Sequence, residues 1–201
     1  EAVDKLFLKK HFNEKDGVLF KCDPIQRYRQ PGPSGNSDLK WLGADSLLYY
    51  NHYELKSDNG WKELIHMIDV LNHHPEQIDS VLNVDRILWA FAVNQALANF
   101  DTYNGVDQRN YYLYQTKDGL FQMIPWDVSE SFINAMLGDF EDPNDFYNYD
   151  PYNGSKSWWY PLTSKLTADP NSKYGRIYTA HLRTILEESL DANEILDFVN
   201  H

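Results

Sequence analysis

Apolar positions along the chain change period in a way that separates helices from strands. Behind Asp58, which stands where a helix cap would, Trp61, Leu64, Ile65, Ile68 and Leu71 recur at helical spacing. Pro75 suits the first turn of a following helix that carries Ile78, Val81 and Leu82. Residues 84–100 are apolar on nearly every face, from Ile87 and Leu88 to Ala96 and Leu97, the pattern of a helix buried in the middle of a domain. That segment is therefore expected to be the most buried helix of the chain. A helical stripe returns over residues 174–190 with Ile177, Tyr178, Leu182 and Ile185, and a last short helix is expected over 192–199. Residues 7–12 read as a short helix and 18–21 as a short strand. The aromatic run 47–55 half alternates and predicts another strand. Two apolar runs, 111–115 and 120–125, flank Lys117-Asp118-Gly119, a hairpin signal.

Pro31, Gly32, Pro33 and Gly35 make residues 24–38 a loop, and the acidic, Asn- and Pro-rich stretch 139–160 is a second, longer one. The fold class read from this order is α+β, mostly α. It is one unit over residues 1–201: a start with loop and short strands (1–55), core helices (56–100), a hairpin bracketed by two aspartates (101–127), an acidic aromatic loop (128–173) and C-terminal helices (174–201).

Composition narrows the function classes. With 30 acidic against 18 basic side chains the net charge is −12, which disfavours nucleic acid or an anionic membrane as main partner. No run approaches the roughly 18 consecutive apolar residues of a membrane span. Cys22 is the single cysteine, so a disulfide framework or a cysteine-rich metal site is excluded. Aromatic residues reach 15% and 14 of them are Tyr, a composition also met in secreted, carbohydrate-facing proteins.

The residues that could carry chemistry lie where the buried helix gives way to the hairpin. Asp101 follows Asn99-Phe100, a polar loop runs to Asn110, and the returning strand ends in Ile124-Pro125-Trp126-Asp127. A rigid helix and a returning strand would hold Asp101 and Asp127 at one end of the core. Phosphoryl transfer uses such parts: hard oxygen ligands for a metal that holds the nucleotide phosphates, and a further Asp for the attacking hydroxyl. From spacing alone, capping and turn aspartates explain the same order.

These residues also carry a resemblance. Asn99-Phe100-Asp101-x-Tyr103, Asn110-Tyr111-Tyr112-Leu113-Tyr114 and Ile124-Pro125-Trp126-Asp127 resemble the CotH family, the spore-coat protein H kinase-like domains. The flanks agree, from Glu1-Ala2-Val3-Asp4 and Gly17-Val18-Leu19-Phe20-Lys21 to Tyr174, Tyr178 and His181. The resemblance implies a protein-kinase-like fold that binds ATP with magnesium or manganese and phosphorylates protein Ser or Thr. It gives Asp101 the catalytic role and Asp127 the role of the metal- and cofactor-binding Asp, although no Phe-Gly follows Asp127. Asn110 is a second metal ligand in the same scheme, or a cap of the hairpin. It further implies a spore-coat, cell-surface or secreted location, and a monomer is expected. No Gly-rich phosphate loop with strand context is found, so the chain reads as the large lobe, with the small β-rich lobe expected before Glu1 and the chain alone expected to be inactive.

Other readings stand beside it. An extracellular binding or scaffold module could keep the fold without catalysis, and Tyr147, Tyr149, Tyr152, Trp158, Trp159 and Tyr160 could stack on sugars, although packing over the core is the favoured reading. Asp139, Glu141, Asp142, Asp145 and Asp150 could bind calcium but lack EF-hand spacing. His73-His74 is read as a helix-end pair rather than a metal site, His181 is read as structural, and no metal-ligand spacing surrounds His52 or His66.

Overall fold

Leu113 sits at the middle of a four-stranded antiparallel sheet, and alternate side chains along its strand build two cores. The computed structural model describes residues 2–23, 37–105, 108–132, 149–152 and 160–190. Strand β1 (Val18–Cys22) pairs with β2 (Glu54–Leu55) on one side and β3 (Tyr111–Gln115) on the other, and β3 pairs with β4 (Phe121–Pro125), giving the order β2-β1-β3-β4. Alternation along β3 sends Tyr111 and Leu113 into the main core and Tyr112 and Tyr114 to the opposite face. There they meet Leu8 of α1 (Lys5–Phe12), Leu19 and Ile124. Asp4 caps α1, its Oδ1 accepting the N–H groups of Leu6 and Phe7, both at 2.9 Å.

The main core is helical on its other side. Helix α2 (Trp61–His73) buries Leu64, Met67, Ile68, Val70 and Leu71. Helix α3 (Val84–Ala96) buries seven positions, more than any other described helix, as its all-round apolar pattern requires. It packs on β4 and on α5 (Lys173–Glu188), while α4 (Pro161–Leu166) lies against α2. No described helix is long and apolar enough to cross a membrane.

Four expectations from the sequence are corrected. Asp58 does not cap α2. Gly60 does, at φ 148°, a backbone that only glycine adopts without strain and where a Cβ would stand 2.3 Å from Val18 Cγ1. The strand expected over 47–55 is a 3₁₀ turn (Ser46–Tyr49) capped by Asp45, with only Glu54–Leu55 extended. Tyr49 and Tyr53 are both fully buried at a spacing of one helical turn, which overrides the aromatic alternation. The segment behind Pro75 is also a 3₁₀ turn (Pro75–Ser80). Finally α3 stops at Ala96 rather than reaching Phe100, because Ala98 takes a left-handed backbone (φ 48°). The loop 24–36, most of the acidic loop with Asp139, Glu141, Asp142 and Asp145, and the helix expected over 192–199 lie outside the described residues.

Buried tyrosine hydroxyls tie distant segments together. Tyr111 Oη donates to the Ser37 carbonyl and Tyr103 Oη to the Asp38 carbonyl at 3.1 Å. Tyr103 Oη also accepts the Leu162 N–H (3.0 Å), and Tyr53 Oη accepts that of Leu39 (2.9 Å). Buried backbone groups without such partners would each cost about 1–3 kcal/mol.

Candidate functional site

The loop that follows α3 is polar yet buried, which is uncommon and has to be satisfied internally. Asn94, on the last turn of α3, donates from Nδ2 to Thr102 Oγ1 (3.1 Å) and accepts at Oδ1 from Asn99 Nδ2 (3.2 Å). Asn104 Nδ2 donates to the Phe91 carbonyl at 3.1 Å. These bonds fold the loop back under the helix it leaves, and they end α3 early. Gly105 completes the turn, its N–H bonded to the Thr102 carbonyl. A Cβ there would stand 1.9 Å from the Phe100 carbonyl oxygen, so the chain could pass only by moving. Gly105→Ala is expected to lower folding stability by about 1–3 kcal/mol, the usual cost of overpacking, measured by denaturant unfolding.

Asp101 stands in this loop, 7% exposed. Arg109 grips its Oδ1 with both Nε and Nη2. Asn110 Nδ2 donates to its Oδ2 and to its backbone carbonyl, both at 2.9 Å. Both carboxylate oxygens are thus held in a fixed orientation by neighbours eight and nine residues on. Asn110 has a left-handed backbone (φ 57°), tolerated by Asn better than by most residues. Its carbonyl accepts the Trp126 N–H at 3.0 Å. Asn110 therefore joins the Asp101 loop to the end of β4, and the residue after Trp126 is Asp127.

Asp127 is exposed and also left-handed (φ 50°). Its Oδ1 accepts the Ser129 hydroxyl at 2.6 Å, a local turn that holds the carboxylate in place. The Phe132 N–H closes this segment back onto the Leu97 carbonyl at 3.2 Å. The structure thus brings together the three residues singled out from the sequence, Asp101, Asn110 and Asp127, at the end of the sheet where β3 begins and β4 finishes. It adds Arg109, which sequence reasoning missed. The signal was present as an Arg-Asn pair just before a strand, but its partner could be named only in three dimensions.

The donor set suits a hard cation. Among the described residues Asn110 Oδ1 and Asp127 Oδ2 take part in no hydrogen bond, and magnesium is commonly held by one or two carboxylates together with substrate phosphates. Among the described residues no group of three or more His, Cys, Asp or Glu side chains could hold a metal ion. His73 instead bonds Asp69 (2.7 Å) and meets the Trp41 ring. His181 stacks on Trp89 with ring centroids 3.9 Å apart. Tyr149 packs on Phe100 and Tyr152 on Tyr178, the core-covering role favoured for these two. Tyr147, Trp158 and Trp159 lie outside the described residues.

A family model described as CotH kinase protein matches residues 1–201, the whole chain. The chain belongs to the CotH family. Among curated proteins no match is found. Membership covers every element described above, so the Asp101 loop, Asn110 and Asp127 are all parts of a CotH-family domain.

Proposed function

We propose that this CotH-family chain is the large lobe of a protein-kinase-like domain that transfers the ATP γ-phosphate to Ser or Thr of a protein. Asp101 is its catalytic residue and Asp127, with Asn110, its metal and cofactor ligands. The observation that supports this most is the Asn110 bridge: one side chain orients the Asp101 carboxylate while its backbone carbonyl fixes the strand end that presents Asp127.

In this reading Asp127 Oδ2 and Asn110 Oδ1 hold magnesium or manganese. When bound, the ion neutralises charge on the nucleotide phosphates. Asp101 orients the acceptor hydroxyl and takes its proton as the oxygen–phosphorus bond to the γ-phosphoryl group forms and the bond to the β-phosphate oxygen breaks. Such a reaction depends mainly on positioning, and Arg109 serves it by holding Asp101 Oδ1 still. The small lobe supplies the remaining wall of the nucleotide site. The proposed location is the spore coat, cell surface or cell exterior, and the partners are ATP and a protein substrate.

A second reading has one observation in its favour. Asp101 is covered by Arg109 and Asn110, as it would be in a binding or scaffold module that kept the fold and lost catalysis. One set of measurements separates the two. In the full-length protein, ATP with magnesium is expected to raise the melting temperature, since a ligand that binds only the folded state stabilises it. Asp127→Ala should abolish that shift. Asp101→Asn should keep most of it while radiolabelled phosphate transfer to protein is lost. Equal shifts in wild type and Asp127→Ala would remove Asp127 from the site. A shift without any transfer in the wild type would favour the scaffold.

A further inference from the structure

Six non-glycine residues take a left-handed backbone among the described residues. Four of them, Ala98, Asn110, Asp127 and Phe132, lie in the two segments that carry Asp101 and Asp127. Asn and Asp tolerate that conformation, whereas a Phe there (φ 57°) is an outlier that the surrounding structure has to impose. The Phe132 N–H holds it in place, bonding the Leu97 carbonyl at 3.2 Å just beyond α3. The ring gains little burial in return. Phe132 is 60% exposed and, among the described residues, belongs to neither apolar core and to no ring pair.

The same turn presents a second apolar side chain. The Ser131 N–H bonds the Val128 carbonyl at 3.1 Å, and Val128, 45% exposed, stands at the start of the turn that Phe132 leaves. The other side chains beside Asp127 are engaged or partly covered. Ser129 donates its hydroxyl to Asp127, and Glu130 and Ser131 are half-buried. What this segment offers next to the Asp127 carboxylate is therefore apolar surface at both ends of its turn. Chain length fixes how far that surface stands from the site. A four-residue turn brings its ends within about 7 Å and each flanking peptide adds about 3.8 Å, so Phe132 Cα lies within roughly 15 Å of Asp127 Cα. An extended polypeptide covers that span in about four residues.

We propose that Val128 and Phe132 form a specificity ledge of the phosphotransfer site, selecting acceptors with an apolar side chain within about four positions of the Ser or Thr. The substrate class is a Ser or Thr in an apolar context rather than an acidic or basic one. This rests on the phosphotransfer reading, because the ledge stands beside Asp127. Strain kept at a residue that does not serve the core is a stability cost that contact with a substrate explains. Such contact acts through binding of the acceptor, so its effect falls on the KM of the protein substrate and not on that of ATP.

The test offers the full-length protein peptides of about nine residues, a central Ser in an Ala and Gly background, with a single Leu, Asp, Lys or Ala at each flanking position in turn. Radiolabelled phosphate transfer is read first. Leu near the Ser should raise kcat/KM about tenfold over Ala, the usual worth of a small apolar contact, and Asp or Lys should not. Phe132→Asn suits the left-handed backbone, so the melting temperature should not fall, yet the Leu preference should shrink to within about twofold of Ala. Phe132→Leu, which keeps an apolar contact, should retain most of it. Fluorescence anisotropy with labelled peptides carrying Ala in place of Ser reads the ledge without any transfer. There the Leu peptide should bind about tenfold tighter than the all-Ala one, and Phe132→Asn should remove the difference. The proposal is overturned by transfer without a Leu preference, by an equal preference for Asp or Lys, by anisotropy that does not distinguish Leu from Ala, or by a Phe132→Asn protein that keeps the preference. Leu-selective binding that needs Phe132, with no transfer to any peptide, would support the ledge and remove the phosphotransfer reading instead, so the two fail separately.

Discussion

Alanine at position 101 is expected to cost about 3–5 kcal/mol of folding stability, over and above any loss of phosphate transfer. The reason is the guanidinium it leaves behind. Arg109 is 7% exposed and directs two nitrogens at Asp101 Oδ1, and burial makes an uncompensated cation there costly. Asn110 Nδ2 would also lose the Oδ2 acceptor that it uses at 2.9 Å. Replacing both partners at once, Asp101→Leu with Arg109→Met, should recover most of the loss, because apolar groups of similar volume carry no desolvation penalty. Urea unfolding of the two single variants and the double variant gives the comparison. A single-variant loss below about 1 kcal/mol, the worth of an exposed pair, would mean that the ion pair is solvated. For the same reason an alanine at 101 is a poor probe of chemistry; Asp101→Asn keeps the shape and one oxygen acceptor but still removes the countercharge of Arg109, so its folding has to be checked by the same urea unfolding.

The second large effect is alkaline unfolding. Burial pushes the phenols of Tyr53, Tyr103 and Tyr111 well above their ordinary value, and it pushes the Cys22 thiol up as well. In the unfolded chain a phenol ionises near pH 10, so above about that pH the unfolded state has released protons that the folded state still holds. Stability contributed by these groups is therefore complete below the unfolded value and is lost as pH rises toward the folded ones. The expected loss is about 1.4 kcal/mol per phenol per pH unit, or about 4 for the three together. Denaturant unfolding at several values between about pH 9 and pH 11.5 reads it. Lysines titrate in the same window, so the decisive comparison is with Tyr111→Phe, whose slope should be shallower by one phenol's share. Equal slopes would show that the Tyr111 hydroxyl reaches solvent.

Much of the site was legible in one dimension. The all-round apolar pattern of residues 84–100 marked a central helix, which ends at Ala96, and Lys117-Asp118-Gly119 marked the hairpin that returns the chain beside it. With the loop between them, that local grammar already placed Asp101 and Asp127 at one end of the core, and the resemblance added Asn110. Periodicity and turn chemistry are properties of neighbouring residues, and neighbours suffice to set them. The same grammar erred at 47–55, where burial of Tyr49 and Tyr53 outweighed strand propensity, and at Asp58, where the geometry of Gly60 decided the helix start.

What only the tertiary structure decided is which polar groups meet. No pattern announces that Arg109 closes on Asp101, that Asn94 ends α3 by bonding Thr102, or that Asn110 and Asp127 both take a left-handed backbone. Nor does any pattern announce that Tyr103 and Tyr111 reach across 65 and 74 residues to the carbonyls of Asp38 and Ser37. Each of these follows from the cost of burying a polar group alone, a cost set by the surroundings and not by the residue. The sequence by itself determined the main helices, the hairpin and the two candidate aspartates, and the family resemblance added Asn110. Packing determined how Asp101 is held and how openly Asp127 is presented, because a carboxylate's partners and exposure depend on everything folded around it.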